Sequence, residues 1–336
     1  MSTKEDFAKL TALGFDFSKS HYLNYDCLES NDDLEMLFEV LSKHKDTTGR
    51  APVMTGVNVV ANPDFEKIKA NGFSTYKYEL FTETCKKYAG RDRVHDLWKE
   101  GIKKRLFVPA FHGREHLHVK RWMNLLQKND KTVRTIFDYG IPYVNIGING
   151  KKMPDLRAAF DIDTLSEIPY LQEVLIIGLI EFEKLFEIQP AYFIPTNGPF
   201  NNSLEGLLFE NGIKYIGTGK INNEPVGNGK FKKHFRYLGK KNTIGQIYLT
   251  RNCIFEPSKK DKDWVDSCLK DIEIAFRWRK PATISSHRVN YTGSLHPANR
   301  DNGLKQLDLL LAQIIKKWPD TAFMTSKELG DLISIS

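Results

Sequence analysis

The chain has 336 residues, 41% of them hydrophobic and 27% charged, with a formal net charge of +7. That balance belongs to a globular protein with enough length for a full core, and it excludes collagen-like, low-complexity and disordered chains. No apolar run approaches the ~18 residues of a spanning helix, since the longest, residues 174–180, stops at Glu181.

Taken in chain order, residues 1–20 read as an amphipathic helix and a loop, and 21–26 (HYLNYD) as short and strand-like. The opening MSTKEDFAKL carries acidic residues and no apolar core, unlike a secretory leader. Residues 31–45 keep helical period, with Leu34, Leu37, Phe38 and Leu41 on one face and Asn31 or Asp32 as N-cap. Residues 52–60 have the composition of a buried strand, and 62–64 (Asn-Pro-Asp) open the next helix. A helix over 94–102 leads to a strand over 106–111, which stops at His112-Gly113 before a helical pattern of Leu117, Val119, Trp122 and Met123. Residues 124–155 are looser.

The pattern then predicts helices over 165–186 and 203–211, the second ended by Gly212, with strands over 191–195 and 214–216. Residues 218–245 read as an irregular insertion rich in Gly, Asn and Lys. After it come a strand (246–249), a helix (264–278), a strand (282–285), a helix (303–317), a strand (322–324) and a last helix (326–333). Strands alternating with helices predict a parallel sheet with helices outside, open or closed into a barrel. No repeat or linker divides the chain, so a single domain over 1–336 is expected. Cys27, Cys85, Cys253 and Cys268 are scattered without a Cys-x-x-Cys pair, which favours reduced thiols and a cytoplasmic protein.

In α/β folds the C-terminal ends of parallel strands carry the chemistry, and three polar stretches follow predicted strands: 112–116, 195–198 and 285–290. His112 and His116, four positions apart at a strand-to-helix turn, can ligate one divalent metal, or simply cap the turn. A metal needs a third protein ligand, typically a carboxylate. His287 fits a general acid, with a structural histidine as the alternative. Residues 230–241 (KFKKHFRYLGKK) alternate basic and aromatic side chains, which suits a nucleic acid, an anionic polysaccharide or an exposed hairpin. Because the other basic residues are dispersed among acidic ones, nucleic acid ranks last.

In their order these stretches resemble the polysaccharide deacetylase superfamily, metal-dependent carbohydrate esterases on a deformed, incomplete (β/α) barrel. His112-Gly-Arg-Glu-His116 has the spacing of the family's His-Ser/Thr-x-x-His motif. The stretch Phe193-Ile-Pro-Thr-Asn-Gly198, followed by a helix and Gly212-Ile-Lys-Tyr215, has the layout of the next motif. Ile284-Ser-Ser-His287 answers the apolar strand ending in Leu-x-His, and Phe323-Met-Thr-Ser-Lys-Glu-Leu329 the strand and "SEL" that commonly follow. The phrases HGREH, RNCIFEP and SSHRVNY resemble an uncharacterised bacterial branch of the same superfamily.

The resemblance implies hydrolysis of an N- or O-acetyl group on an oligo- or polysaccharide. A divalent metal, zinc foremost, would sit on His112, His116 and an aspartate, with His287 as acid. Arg114, Glu115, Asn197, Arg288 and Asn290 flank these positions as sugar-binding candidates. The chain departs from the pattern in two places. The motif's Arg and Tyr are replaced by Ile194 and Asn197, and the adjacent aspartates of the first motif are missing from any strand end. Asp32-Asp33 lies at a predicted helix start, where capping explains it, and Asp26 is the nearest stand-in for the catalytic base. Either the chain begins after the family's first strand, or Asp26 serves alone, or the protein does not hydrolyse. Two other readings stay open: a non-catalytic glycan-binding or scaffold protein on the same barrel, and a glycoside hydrolase built on two carboxylates among Glu115, Asp26 and Glu256.

Overall fold

The helix over Asn31–Lys43 shows how directly local chemistry sets these elements in the computed structural model, which describes residues 3–17 and 21–335. Ser30, rather than Asn31 or Asp32, is the N-cap: its hydroxyl accepts from the Asp33 amide and the Asp33 carboxylate accepts from the Ser30 amide at 2.9 Å. That capping box uses Asp33 as a helix-start residue, and Leu34, Leu37, Phe38 and Leu41 form the buried face.

The fold is mixed α/β around a parallel central sheet. Five strands, Met54–Val59, Phe107–Gly113, Tyr192–Phe193, Tyr215–Thr218 and Ile247–Thr250, lie side by side in that order. Phe111 is in parallel register with Phe193, and Phe193 in turn with Ile216. Strand order follows chain order. No helix of the described residues is long and apolar enough to cross a membrane.

Contacts divide the chain into two compact units. The first comprises Met1–Phe17, Val57–Thr84 and Pro109–Leu249. Its core is aromatic: Phe111 packs edge-on against Phe182 at 5.8 Å between ring centres, and Phe160 and Phe200 flank Phe193 at 5.5 and 5.4 Å. All five rings are fully buried, and removing each from water is worth about 2–3 kcal/mol. The second unit comprises Ser18–Gly56, Cys85–Val108 and Thr250–Ser336. It holds the helices Asn31–Lys43, Val94–Lys103, Trp264–Arg277, Pro297–Lys317 and Ser326–Ile335, together with a short parallel pair, Cys253–Ile254 beside Ile284–Ser285.

Four segments differ from their sequence expectation. Residues 21–26 are not a strand: His21–Tyr25 is a helical turn, in which His21 and Tyr25 share a face with ring centres 5.7 Å apart. The loose region 124–155 contains the helix Lys131–Asp138, capped by Asp130 and burying Val133, Ile136 and Phe137. The irregular insertion 218–245 is in large part an antiparallel hairpin of Ile221–Gly227 and Lys230–Phe235. Residues 322–324 join no sheet, because the Phe323 amide is taken by the Asp46 carboxylate at 2.9 Å.

Candidate functional site

The first unit brings His112 and His116 together. Along the strand Phe107–Gly113, Phe111 faces the core and His112, its neighbour, the opposite side. The strand stops at Gly113, whose φ is +120° and where a side chain would meet the Phe160 ring at 2.9 Å. The turn that follows is clamped: the Arg114 carbonyl accepts from the Val60 and Ala61 amides at 3.1 and 2.7 Å. Gly178, on the helix Ile168–Phe186, leaves room for Phe111 and for the Arg114 amide. His116 lies within this turn. The next helix, Val119–Gln127, starts only at His118, whose Nδ1 accepts from the Arg121 amide. Burial lowers the pKa of His118 to about 4, with the Arg121 charge adding to the effect, so the ring is neutral and can accept.

His112 has a defined tautomer. Its Nδ1 lies 2.6 Å from the Ile194 carbonyl, which can only accept, so Nδ1 carries the proton and Nε2 presents a lone pair. Ile194 is placed for this by its own amide, which donates to the Phe111 carbonyl at 3.1 Å. The rings of His112 and His116 are 5.2 Å apart between centres and inclined at 62°. Two imidazoles on one tetrahedral zinc, with Zn–N of about 2.0–2.1 Å, have ring centres roughly 5 Å apart. The separation of the two rings is of that size. Among the described residues no cluster of three or more His, Cys, Asp or Glu side chains completes a protein ligand set.

The second unit builds a different arrangement around His287. Cys253 pairs with Ile284 and Ile254 with Ser285, and the Phe255 amide continues the ladder to the Ser285 carbonyl at 2.9 Å. The same register carries Glu256 alongside His287 at the C-terminal end of the pair. The Glu256 carboxylate hydrogen-bonds Nδ1 of His287 through one oxygen and accepts from Asn290 Nδ2 at 3.0 Å through the other. Glu256 is buried, whereas half the His287 side chain is exposed. Asn290 is itself locked: it donates to Ser286 and to the His287 carbonyl and accepts from the Ser258 amide. Gly303 lies so close that a Cβ there would sit 1.8 Å from the Asn290 carbonyl oxygen. A carboxylate on Nδ1 fixes the imidazole's tautomer and frees Nε2 to exchange a proton.

The remaining sequence candidates fall as follows. Arg114 and Glu115 are buried against each other at 2.6 and 3.1 Å, with the guanidinium over the Tyr78 ring at 4.7 Å. Burial pushes the Glu115 carboxyl up, the Arg114 charge opposing it. Asn197 adopts φ +54° and donates to Asp155 at 2.6 Å. Burial pushes the Asp155 carboxyl up, but the hydrogen bonds and charge of Arg157, together with the Arg121 charge, hold it below its usual range. In the second unit Arg288 forks onto both carboxylate oxygens of Asp26 at 3.1 Å and reaches Glu29 at the same distance. Asn290 is fully buried behind Glu256. Sequence reasoning weighed Glu256 only as a glycosidase carboxylate. Its place beside His287 follows from the parallel register, a pairing that the chain does not spell locally.

No protein-family model matches the chain, and no curated protein matches it. Among solved structures it is similar to one described as the structure of IcaB from Ammonifex degensii, 13% identical, with a TM-score of 0.24 over 40% of this chain and 43% of that one. It is also similar to the alpha-amylase AmyC from Thermotoga maritima, 10% identical, with a TM-score of 0.40 over 89% of this chain and 60% of that one. The chain spans less than two thirds of the length of either structure. Likenesses at this level fix neither fold nor activity.

Proposed function

We propose that the chain is a metal-assisted carbohydrate deacetylase, hydrolysing an acetyl amide or ester on a sugar. The reading takes the parallel sheet as part of a deformed (β/α) barrel. The observation that carries it is the His112–His116 pair, with ring centres 5.2 Å apart and the His112 proton held on the Ile194 carbonyl. The resemblance in motif order supplies the reaction class.

A divalent ion such as zinc, held by His112 and His116, would polarise the acetyl carbonyl and acidify a bound water. The chain's own groups do the rest. Ile194 keeps His112 in the tautomer that donates through Nε2. Glu256 holds Nδ1 of His287 and fixes the ring's tautomer, which makes Nε2 the nitrogen that exchanges a proton. Asn290 holds Glu256 in the plane of that ring. For Asp26 to act as base, Arg288 has to release it from the two bonds that now engage both carboxylate oxygens.

Acetate release from acetylated aminosugar oligomers, with zinc or cobalt present, is the test. The native chain should turn over, and His112→Ala and His116→Ala should each lose about a hundredfold or more. Full turnover in either variant, or turnover unaffected by a chelator, would remove the pair from the reaction.

A further inference from the structure

The net charge of this chain is concentrated in one segment. Residues 218–245 hold seven of its 49 Lys and Arg and one of its 42 Asp and Glu, so all other positions together carry only +1. The single carboxylate there, Glu224, is buried and taken up by His234 at 2.6 Å and by the Asn202 amide at 3.0 Å. The single arginine, Arg236, is buried too, bonded to Asn202 and Glu205 and stacked 4.0 Å over Tyr248. What the segment shows outward is lysine: Lys220, Lys230, Lys232, Lys233 and Lys241 are exposed, and no ion pair among the described residues engages them.

Aromatic rings stand among these lysines. Phe231, Lys233 and Phe235 alternate along Lys230–Phe235 and share one face. Across the strand Ile221 lies opposite Phe235 and Asn223 opposite Lys233. Phe235, Ile221 and Phe231 are 67%, 58% and 46% exposed, and Tyr237 beyond them 58%. The other side turns Asn222, Glu224 and His234 inward, while Lys232, opposite Glu224, and Lys230 extend from it into solvent. The hairpin is also tied down. At its turn the Asn228 amide donates to the Asp163 carbonyl at 2.8 Å, and Asn201 donates to the Pro225 carbonyl at 2.8 Å. Exposed rings on an anchored ribbon lose little freedom when they bind.

We propose that this hairpin binds an acidic polysaccharide, with Lys233 between the rings and Lys230 and Lys232 from the strand's other side meeting carboxylate groups, and Phe231, Phe235 and Tyr237 lying against sugar rings. Only the choice of a sugar polymer rests on the deacetylase reading. Lysine without accessible arginine suits scattered carboxylates better than phosphate, which favours the bidentate guanidinium. Phe231 and Phe235, four residues apart on one strand face, are about 13 Å apart, the reach of roughly two or three sugar rings and too far for adjacent stacked bases.

Fluorescence anisotropy of end-labelled oligogalacturonate, measured against labelled neutral glucan and oligothymidylate at low and physiological salt, tests this. The native chain should prefer the uronate oligomer, more strongly at low salt. Lys230→Gln/Lys232→Gln/Lys233→Gln should weaken binding by about tenfold and flatten the salt dependence. Phe231→Ala/Phe235→Ala should weaken it comparably but keep that dependence. His116→Ala should bind as the native chain does, since binding is read without turnover. Three results would overturn the inference: no preference for uronate over neutral glucan, unchanged binding in the lysine variant, or oligothymidylate binding as tightly as uronate. A chain that releases no acetate but binds uronate in this way would contradict the deacetylase reading alone.

Discussion

Glu256 and His287 show how one buried carboxylate can give an exposed histidine a task. With Nδ1 held and Glu256 fixed from behind by Asn290, the ring has one orientation and one free nitrogen. Glu256→Gln keeps the shape but removes the charge that supports a proton on the ring. We expect kcat for deacetylation to fall about a hundredfold with KM little changed, and Glu256→Asp to recover part of it. Steady-state kinetics on both variants measure this; a loss confined to KM would make Glu256 a scaffold residue only. At this scale the sequence is partly legible. His112 and His116 stand together as their spacing at a strand end predicts, because a strand ending in glycine and a tight turn is a local matter. Glu256 and Asp155 were hidden, since what puts them beside His287 and Asn197 is pairing between segments 31 and 42 residues away.

His118 is the hinge of an element, since it caps the helix Val119–Gln127 only while neutral. Burial holds its pKa near 4, below the ordinary 6.5. Between those two values the unfolded chain binds a proton that the folded chain refuses, so stability rises with pH across that window. The contribution is complete above pH 6.5 and is lost as pH falls toward 4, in all about 3 kcal/mol. His118→Asn keeps an acceptor for the Arg121 amide but cannot titrate. Urea midpoints for the variant should therefore fall less than native ones between these pH values, and parallel slopes would contradict the assignment. Elements were legible where capping and period agree, as in Asn31–Lys43. They were missed where the signal was short. HYLNY has strand-like residues but too few positions to tell a period of two from one of 3.6. The hairpin had a sign that the glycine-rich composition masked: Asn228-Gly229, both at positive φ, is the turn pair that a two-residue hairpin favours.

On the scale of the whole molecule, a parallel sheet carries the histidine pair in one unit, a short parallel pair carries His287 in the other, and all but +1 of the net charge of +7 lies in residues 218–245, which include the hairpin. The alternation of strands and helices made the parallel sheet legible. The concentration of charge was obscured, because only the folded chain shows Glu224 and Arg236 withdrawn from the surface. The account turns on whether His112 and His116 bind one ion. Calorimetric titration with zinc, paired with the visible absorption of cobalt, reads this without reference to activity. We predict one ion per chain, bound weakly because no third protein ligand is gathered among the described residues, with affinity falling as acid protonates the imidazoles. His112→Ala and His116→Ala should each abolish binding. A chain that takes up no ion at neutral pH, or a His116→Ala variant that binds as tightly as the native chain, would contradict the account.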